Sequence, residues 1–208
     1  TVGLLNAMHS FQGRKPSKEQ LAEEACKIEI EIMGAPIGRQ DQYAASFGGI
    51  NSISFGEGGV AVEPIEIEND LLSRVSRNFT LVFTGMTRSA SKVLSEESED
   101  ELDKSNRMRV IREHADKAAI MFQNGDLDSI GDLLNETWNA KRGISSLITN
   151  QSIDELHGRV MSSGAKGAKL LGAGNGGFLL VYGGDGLRNT LQSELGPGFR
   201  MFPLDIDF

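Results

Sequence analysis

The sequence predicts an α+β fold, because stretches with the apolar spacing of helices alternate with short β-rich runs. Residues 106–145 place apolar side chains at helical intervals, whereas residues 50–67 alternate apolar with polar or small side chains. With 208 residues, 24% of them charged, and abundant glycine, the chain has the length and balance of an ordinary globular protein. This length fits one large domain or two closely packed ones.

The first elements are predicted to be helices. Residues 1–11 show helical apolar spacing with no cap residue ahead of them, so we expect the sequence to begin inside a helix and to lack an upstream segment. Ser17 and Gln20 resemble a capping box that starts a second helix, which extends to about Met33.

The remaining elements follow from changes of spacing and from turn residues. In chain order we expect a turn at 34–38, a short helix at 41–49 ended by glycines, a hairpin of 50–55 with 60–67, a strand at 79–83, helices at 106–123, 127–145 and 153–161, a glycine-rich loop at 164–177, a strand at 178–182, a helix at 187–195 and a strand at 200–206. The acidic run at 96–103 is expected to be a solvated loop that leads into a helix.

Composition argues against several classes of function. The 29 acidic and 21 basic side chains give a net charge of −8, which opposes binding to nucleic acid or to an anionic membrane. The single cysteine, Cys26, excludes an internal disulfide and lies in an apolar pattern typical of a core position. No apolar stretch of about eighteen residues exists to span a membrane. We therefore expect a cytoplasmic protein.

The most informative segment is the glycine-rich run Gly172, Ala173, Gly174, Asn175 and Gly176, which precedes an apolar strand. Glycines let backbone amides approach phosphate oxygens, although the same residues also build tight turns and bulges. A dinucleotide fingerprint needs a strand before the glycines and a helix after them, but here a strand follows. No Gly-Lys-Ser/Thr closes the loop either, so the Walker pattern is also disfavoured.

Two carboxylates flank the predicted turn at 34–38. Phosphoryl transfer to a hydroxyl group needs a group that orients or accepts the hydroxyl proton, and a divalent cation that a carboxylate can hold. Asp41 and Glu29 could fill these two roles. Equally, Glu29 could be a solvated helix position and Asp41 a helix cap.

Together these segments resemble the galactokinase, homoserine kinase, mevalonate kinase and phosphomevalonate kinase (GHMP kinase) family. The resemblance rests on residues 27–34, on Gly-Arg-Gln-Asp-Gln and the residues after it at 38–49, and on residues 169–177, whose order and spacing fit the family. Residues 83–91 and 138–142 make the chain most similar to the subgroup of D-glycero-D-manno-heptose 7-phosphate kinases.

The resemblance implies a two-layer GHMP-kinase-like fold that is truncated at its amino terminus. Residues 1–67 would be the remainder of the catalytic domain and residues 68–208 the carboxy-terminal domain. The implied site residues are the acid-base residue Asp41, the magnesium ligand Glu29, the ATP phosphate-binding residues Gly172, Ala173, Gly174, Asn175 and Gly176, and the substrate-binding residues Gly38, Arg39 and Gln42. Asn175 stands where the family usually has glycine, which left-handed backbone geometry tolerates.

The resemblance also implies a function. We expect ATP-dependent transfer of the γ-phosphoryl group, with Mg²⁺, to a sugar or sugar phosphate, specifically to the anomeric hydroxyl of D-glycero-D-manno-heptose 7-phosphate. Arg39 could bind a substrate phosphate or form a surface ion pair. The alternatives are an L-fucose kinase-like enzyme, a non-catalytic sugar and ATP sensor, and a structural fragment that binds its own copies; a homodimer is one candidate assembly. Without the family's serine-rich phosphate loop, this chain alone is expected to be inactive.

Overall fold

A computed structural model describes residues 1–86 and 101–207, which form two compact units. One unit is Thr1–Glu66 together with the chain end from Ile206, and the other is Ile67–Asp205. The predicted α+β class is confirmed, because helices and antiparallel strands occur in both units. Within the described ranges, no helix is long and apolar enough to cross a membrane.

The first unit consists of helices and a two-stranded hairpin. Its elements are α1 Val2–Phe11, α2 Lys18–Cys26, a π-helix Lys27–Ile32, α3 Gln40–Phe47, β1 Asn51–Gly56 and β2 Gly59–Pro64. The strands pair antiparallel from Asn51 opposite Pro64 to Gly56 opposite Gly59, so the predicted hairpin is confirmed with a shorter second strand.

The second helix shows how the sequence starts and anchors this unit. The Ser17 hydroxyl accepts a hydrogen bond of 3.1 Å from the Gln20 amide, which confirms the predicted cap. The Gln20 side chain binds Glu24 instead of returning to the cap, so only half of the capping box forms. Cys26 is buried as predicted and packs with Tyr43 of α3. The π-helix continues α2, so the predicted extent of this helix is confirmed.

The second unit is a four-stranded antiparallel sheet packed with helices. Its elements are α4 Asn69–Asn78, β3 Phe79–Phe83, α5 Glu101–Gln123, α6 Leu127–Arg142, α7 Gln151–Ser162, β4 Gly167–Leu170, β5 Phe178–Tyr182, α8 Leu187–Leu195 and β6 Met201–Pro203. The strand order is β4-β5-β3-β6, so β4 lies at one edge. Helices α4, α6 and α7 contact the sheet, and the core includes Val82, Trp138, Ile153, Leu179 and Leu191.

Several predicted bounds need correction. Helix α4 was not predicted, α5 begins at Glu101 instead of residue 106, and the last strand is confined to Met201–Pro203. The acidic run is therefore helical from residue 101, while its residues 96–100 lie outside the described ranges. A loop throughout 164–177 is also wrong, because β4 lies within it.

Close backbone packing explains why β4 has the composition of a loop. A Cβ added to Gly167 would lie 1.8 Å from the carbonyl oxygen of Gly131, so the edge strand touches the backbone of α6. Only glycine permits such an approach, and the resulting sequence lacks the bulky residues that predict a strand.

Candidate active site

Asp41 lies in the first turn of α3, directly after the predicted turn. The residue at the cap position is Arg39, so Asp41 is not the helix cap. Its side chain is exposed and forms no hydrogen bond or ion pair with residues 1–86 or 101–207. A carboxylate in the first turn is favoured by the helix dipole. Among the described residues, nothing therefore occupies the Asp41 carboxylate, which could accept a hydrogen bond from a ligand.

Glu29 and Gln42 are brought together by the structure. Glu29 lies in the π-helix, and its two carboxylate oxygens accept hydrogen bonds from the Thr1 hydroxyl and the Gln42 side-chain amide. These two hydrogen bonds, that from Thr1 first, lower the pKa of Glu29 and keep it ionised. Gln42 is buried, and its side-chain carbonyl oxygen has no hydrogen-bond partner within the described part of the chain.

Each Glu29 oxygen keeps a lone pair after accepting one hydrogen bond, so the carboxylate fits a magnesium ligand. In kinase sites Mg²⁺ needs only one or two protein carboxylates, because substrate phosphates and water complete its octahedron. No group of three or more His, Cys, Asp and Glu side chains suited to a metal occurs in 1–86 and 101–207.

Arg39 contacts two side chains of its own unit. Its guanidinium lies 2.5 Å from a carboxylate oxygen of Glu23 and 5.7 Å from the ring centre of Tyr43. The Tyr43 hydroxyl donates to the same Glu23 carboxylate, and burial followed by this hydrogen bond raises the pKa of Tyr43 to about 12. Both members of the Arg39–Glu23 pair are partly exposed, so the pair contributes little to stability.

A cavity of about 430 Å³ adjoins this ion pair. Its lining includes Glu23, Cys26, Lys27 and Arg39, but not Asp41 or Glu29. Gly38 is exposed beside Arg39. The predicted substrate-binding residues therefore divide into two places, with Gln42 at Glu29 and Arg39 at this cavity.

The glycine-rich loop of the second unit connects β4 with β5 and is held by Asn175. This residue is buried and has a left-handed backbone (φ 58°), which confirms that Asn is tolerated there. Its amide donates to the Ile148 carbonyl at 2.7 Å, and its side-chain carbonyl accepts from Asn150 at 2.5 Å. Asn150 also caps α7, so the loop is fixed to the start of that helix.

The loop glycines have different surroundings. A Cβ on Gly174 would lie 2.8 Å from the Ile148 carbonyl oxygen, and one on Gly176 would lie 2.8 Å from that of Met86. These two glycines are needed for packing within the chain, as the interpretation as a tight turn predicts. In contrast, Gly172 has φ 65°, and a Cβ there meets no described residue within 4 Å. As far as residues 1–86 and 101–207 go, the space beside Gly172 is open.

Backbone donors line the same loop. The amides of Gly172, Ala173 and Gly176 form no hydrogen bond with the residues that the structure describes, whereas those of Asn175 and Gly177 are bonded to the chain. Free amide donors in a glycine-rich turn are what a phosphate group requires.

Lys141, for which the sequence predicts no role, also contacts this loop. Its ammonium donates to the carbonyls of Leu170, at 3.1 Å, and of Gly172. Burial and then the nearby charge of Lys169 lower the pKa of Lys141 to about 8, and burial also lowers the pKa of Lys169. The only available signal was the position of Lys141 in the segment 138–142, which carried the resemblance but no chemistry.

The fold is that of the GHMP kinases. Residues 1–49 match the family described as "GHMP kinases N terminal domain", and residues 118–194 match "GHMP kinases C terminal"; together they take in more than half of the chain. A D-glycero-D-manno-heptose 1-phosphate kinase structure from Bacteroides thetaiotaomicron superposes with a TM-score of 0.74 over 99% of this chain and 57% of that one. Its identity of 20% supports the fold alone.

The chain belongs to the GHMP kinase family. It is 31% identical over 185 residues to the D-glycero-alpha-D-manno-heptose 7-phosphate kinase of Campylobacter jejuni. The aligned region covers 87% of this chain and 54% of that protein. It is 28% identical over 176 residues to the bifunctional fucokinase/GDP-fucose pyrophosphorylase of Arabidopsis thaliana, covering 81% of this chain and 16% of that protein. This chain thus spans about half of the Campylobacter kinase and less of the Arabidopsis protein.

Proposed function

We propose that the chain is part of a sugar kinase that transfers the γ-phosphoryl group of ATP to a sugar hydroxyl. The observation that carries this proposal is the glycine-rich loop, whose open amides and exposed Gly172 suit a polyphosphate in a chain of this family. We infer that residues 1–67 are the remainder of the catalytic domain and residues 68–208 the carboxy-terminal domain. The separate matches to the two family domains support this division.

Asp41 is proposed to act as the acid-base residue. As the sugar oxygen attacks the γ-phosphorus and ADP leaves, its carboxylate accepts the hydroxyl proton. Its exposure and its lack of a partner among the described residues support this role. Glu29 would hold Mg²⁺, which offsets the charge of the phosphates when bound. Gln42 then orients Glu29 through its side-chain amide.

The substrate is proposed to be D-glycero-D-manno-heptose 7-phosphate, phosphorylated at its anomeric hydroxyl. The Campylobacter relative, named for a heptose 7-phosphate, supports this choice. An L-fucose kinase-like activity is the second candidate, because the Arabidopsis relative is named for a fucokinase. Arg39 would distinguish the two substrates, because a guanidinium pairs with a sugar phosphate that fucose lacks.

Glu29→Gln is expected to raise the Mg²⁺ concentration required for half-maximal activity by about tenfold in the full-length protein, because a neutral amide is a weaker ligand. Sugar binding without metal should stay unchanged. A magnesium titration of the kinase rate checks the first result and calorimetry the second. Glu31→Gln, two residues further on and exposed, is the matched control. Equal magnesium requirements for Glu29→Gln and the wild type would remove Glu29 from the metal site.

Arg39→Ala is expected to raise KM for heptose 7-phosphate by about tenfold, the loss of one charge-assisted interaction, with little change for unphosphorylated heptose or fucose. Glu23→Gln tests the same interaction from the other side of the ion pair. Because Glu23 competes for the guanidinium, its neutralisation should lower KM for the phosphorylated sugar.

Steady-state kinetics of both variants on the three sugars check these expectations. Equal losses on all three sugars would show that Arg39 serves only its pair with Glu23, and a wild-type preference for fucose would reject the heptose phosphate assignment.

A further inference from the structure

Helix α6 covers the free edge of β4 with hydrogen-bonding side chains. The Asn135 side chain donates to the Lys166 carbonyl at 2.8 Å and accepts from the Ala168 amide at 3.1 Å. Lys141 continues the series by donating to the carbonyls of Leu170 and Gly172. The helix therefore satisfies backbone groups along the edge of β4 and on into the glycine-rich loop, where an edge strand would otherwise leave them unpaired.

Lys141 fixes the direction of one peptide unit in the loop. The carbonyl of Gly172 and the amide of Ala173 belong to the same trans peptide and point in opposite directions. Because the carbonyl is held on the Lys141 ammonium, the Ala173 amide points away from that ammonium. This amide is one of those without a partner among the described residues. The orientation of this peptide therefore depends on Lys141, which lies 31 residues before Gly172 in the chain.

Helix α6, which carries Lys141, packs closely against the sheet. The backbones of α6 and β4 are in direct contact at Gly131 and Gly167, and Trp138, one turn before Lys141, is buried in the core. This packing holds the backbone of Lys141 in a fixed place beside the glycine-rich loop.

Within residues 1–86 and 101–207, no carboxylate forms an ion pair with Lys141 or Lys169. The charge of Lys169 acts on Lys141. The same pair of charges accounts in part for the lowered pKa of Lys141. Two half-buried like charges are unfavourable until an anion joins them.

We propose that Lys141 is a positioning residue of the nucleotide site, which orients the peptide between Gly172 and Ala173 toward a phosphate group of ATP and adds positive charge beside the loop. This inference rests on the proposed function, in which the glycine-rich loop binds the ATP phosphates. It assigns Lys141 a role that is separate from the contacts of the loop itself.

The test is a calorimetric titration of the full-length protein with a non-hydrolysable ATP analogue, together with KM values for ATP and sugar. Lys141→Met should weaken analogue binding and raise KM for ATP by about tenfold or more, because one charge-assisted hydrogen bond is lost. KM for the sugar should stay unchanged. Lys141→Arg should restore most of the affinity. Lys166→Met is the matched control, because Lys166 is exposed and paired with Asp128.

Comparison with Gly172→Asn separates the role of Lys141 from the assignment of the glycine-rich loop as the ATP site. Normal analogue binding by Lys141→Met with weak binding by Gly172→Asn would overturn the role of Lys141 and leave the loop as the ATP site. Normal binding by both variants would overturn the loop assignment as well. If Lys141→Met does not fold, Lys141→Gln is the second variant: it removes the positive charge but keeps a hydrogen-bond donor, so a smaller loss of analogue affinity is expected, and normal affinity would overturn the role of the charge. Failure of Lys141→Arg to improve on either variant would also reject a role for the cation.

Discussion

Asp41→Asn is expected to lower kcat of the full-length protein by about 10²-fold or more, the usual contribution of a general base. The amide has nearly the same shape but cannot accept the proton of the sugar hydroxyl. ATP affinity should stay close to that of the wild type, because the proposed phosphate-binding loop does not include this residue. Single-turnover measurement of sugar-dependent ADP formation, with a separate ATP-analogue titration, checks both expectations.

Asp70→Asn is the control for this variant. Asp70 also lies in the first turn of a helix, α4, so its neutralisation removes a similar stabilisation of the helix amino terminus. We expect no loss of kcat from Asp70→Asn. A near-normal kcat for Asp41→Asn, or equal losses in the two variants, would reject Asp41 as the acid-base residue.

Gly172→Asn is expected to weaken ATP-analogue binding by about tenfold or more at an unchanged melting temperature. Asparagine tolerates the left-handed backbone of Gly172, while its side chain enters the open space proposed for phosphate. Calorimetry measures the analogue affinity, and thermal unfolding of the same preparations measures the melting temperature.

Gly174→Val should behave differently. Its Cβ would meet the backbone of Ile148, so the loop must move, and we expect about 1–3 kcal/mol of destabilisation in addition to weak ATP binding. Unchanged analogue affinity in a folded Gly172→Asn protein would show that the loop is purely structural.

The sequence predicted the local elements well because their signals are local. The strand at 79–83, the cap at Ser17 and the left-handed Asn175 all follow from residue type and short-range spacing. Strand β4 was missed because its composition is set by contact between Gly167 and Gly131, which are far apart in the chain. Propensity contains no information about such a contact.

The candidate site shows the same division. The glycine motif could be recognised, but which glycines pack and which face open space depends on Ile148 and Met86. Lys141 could not be assigned because its partners are the carbonyls of a distant loop, which any residue type provides. For Arg39 both interpretations were foreseen, and the ion pair with Glu23 forms.

Transfer of the ATP γ-phosphoryl group to a sugar is tested most directly by phosphorus NMR of the full-length protein incubated with ATP, Mg²⁺ and D-glycero-D-manno-heptose 7-phosphate. We expect one new phosphate ester on the anomeric carbon for each ADP formed, and no ADP without the sugar. ATP bound at the glycine-rich loop with no sugar-dependent ADP and no new ester would contradict a kinase and favour a non-catalytic sensor on the same fold.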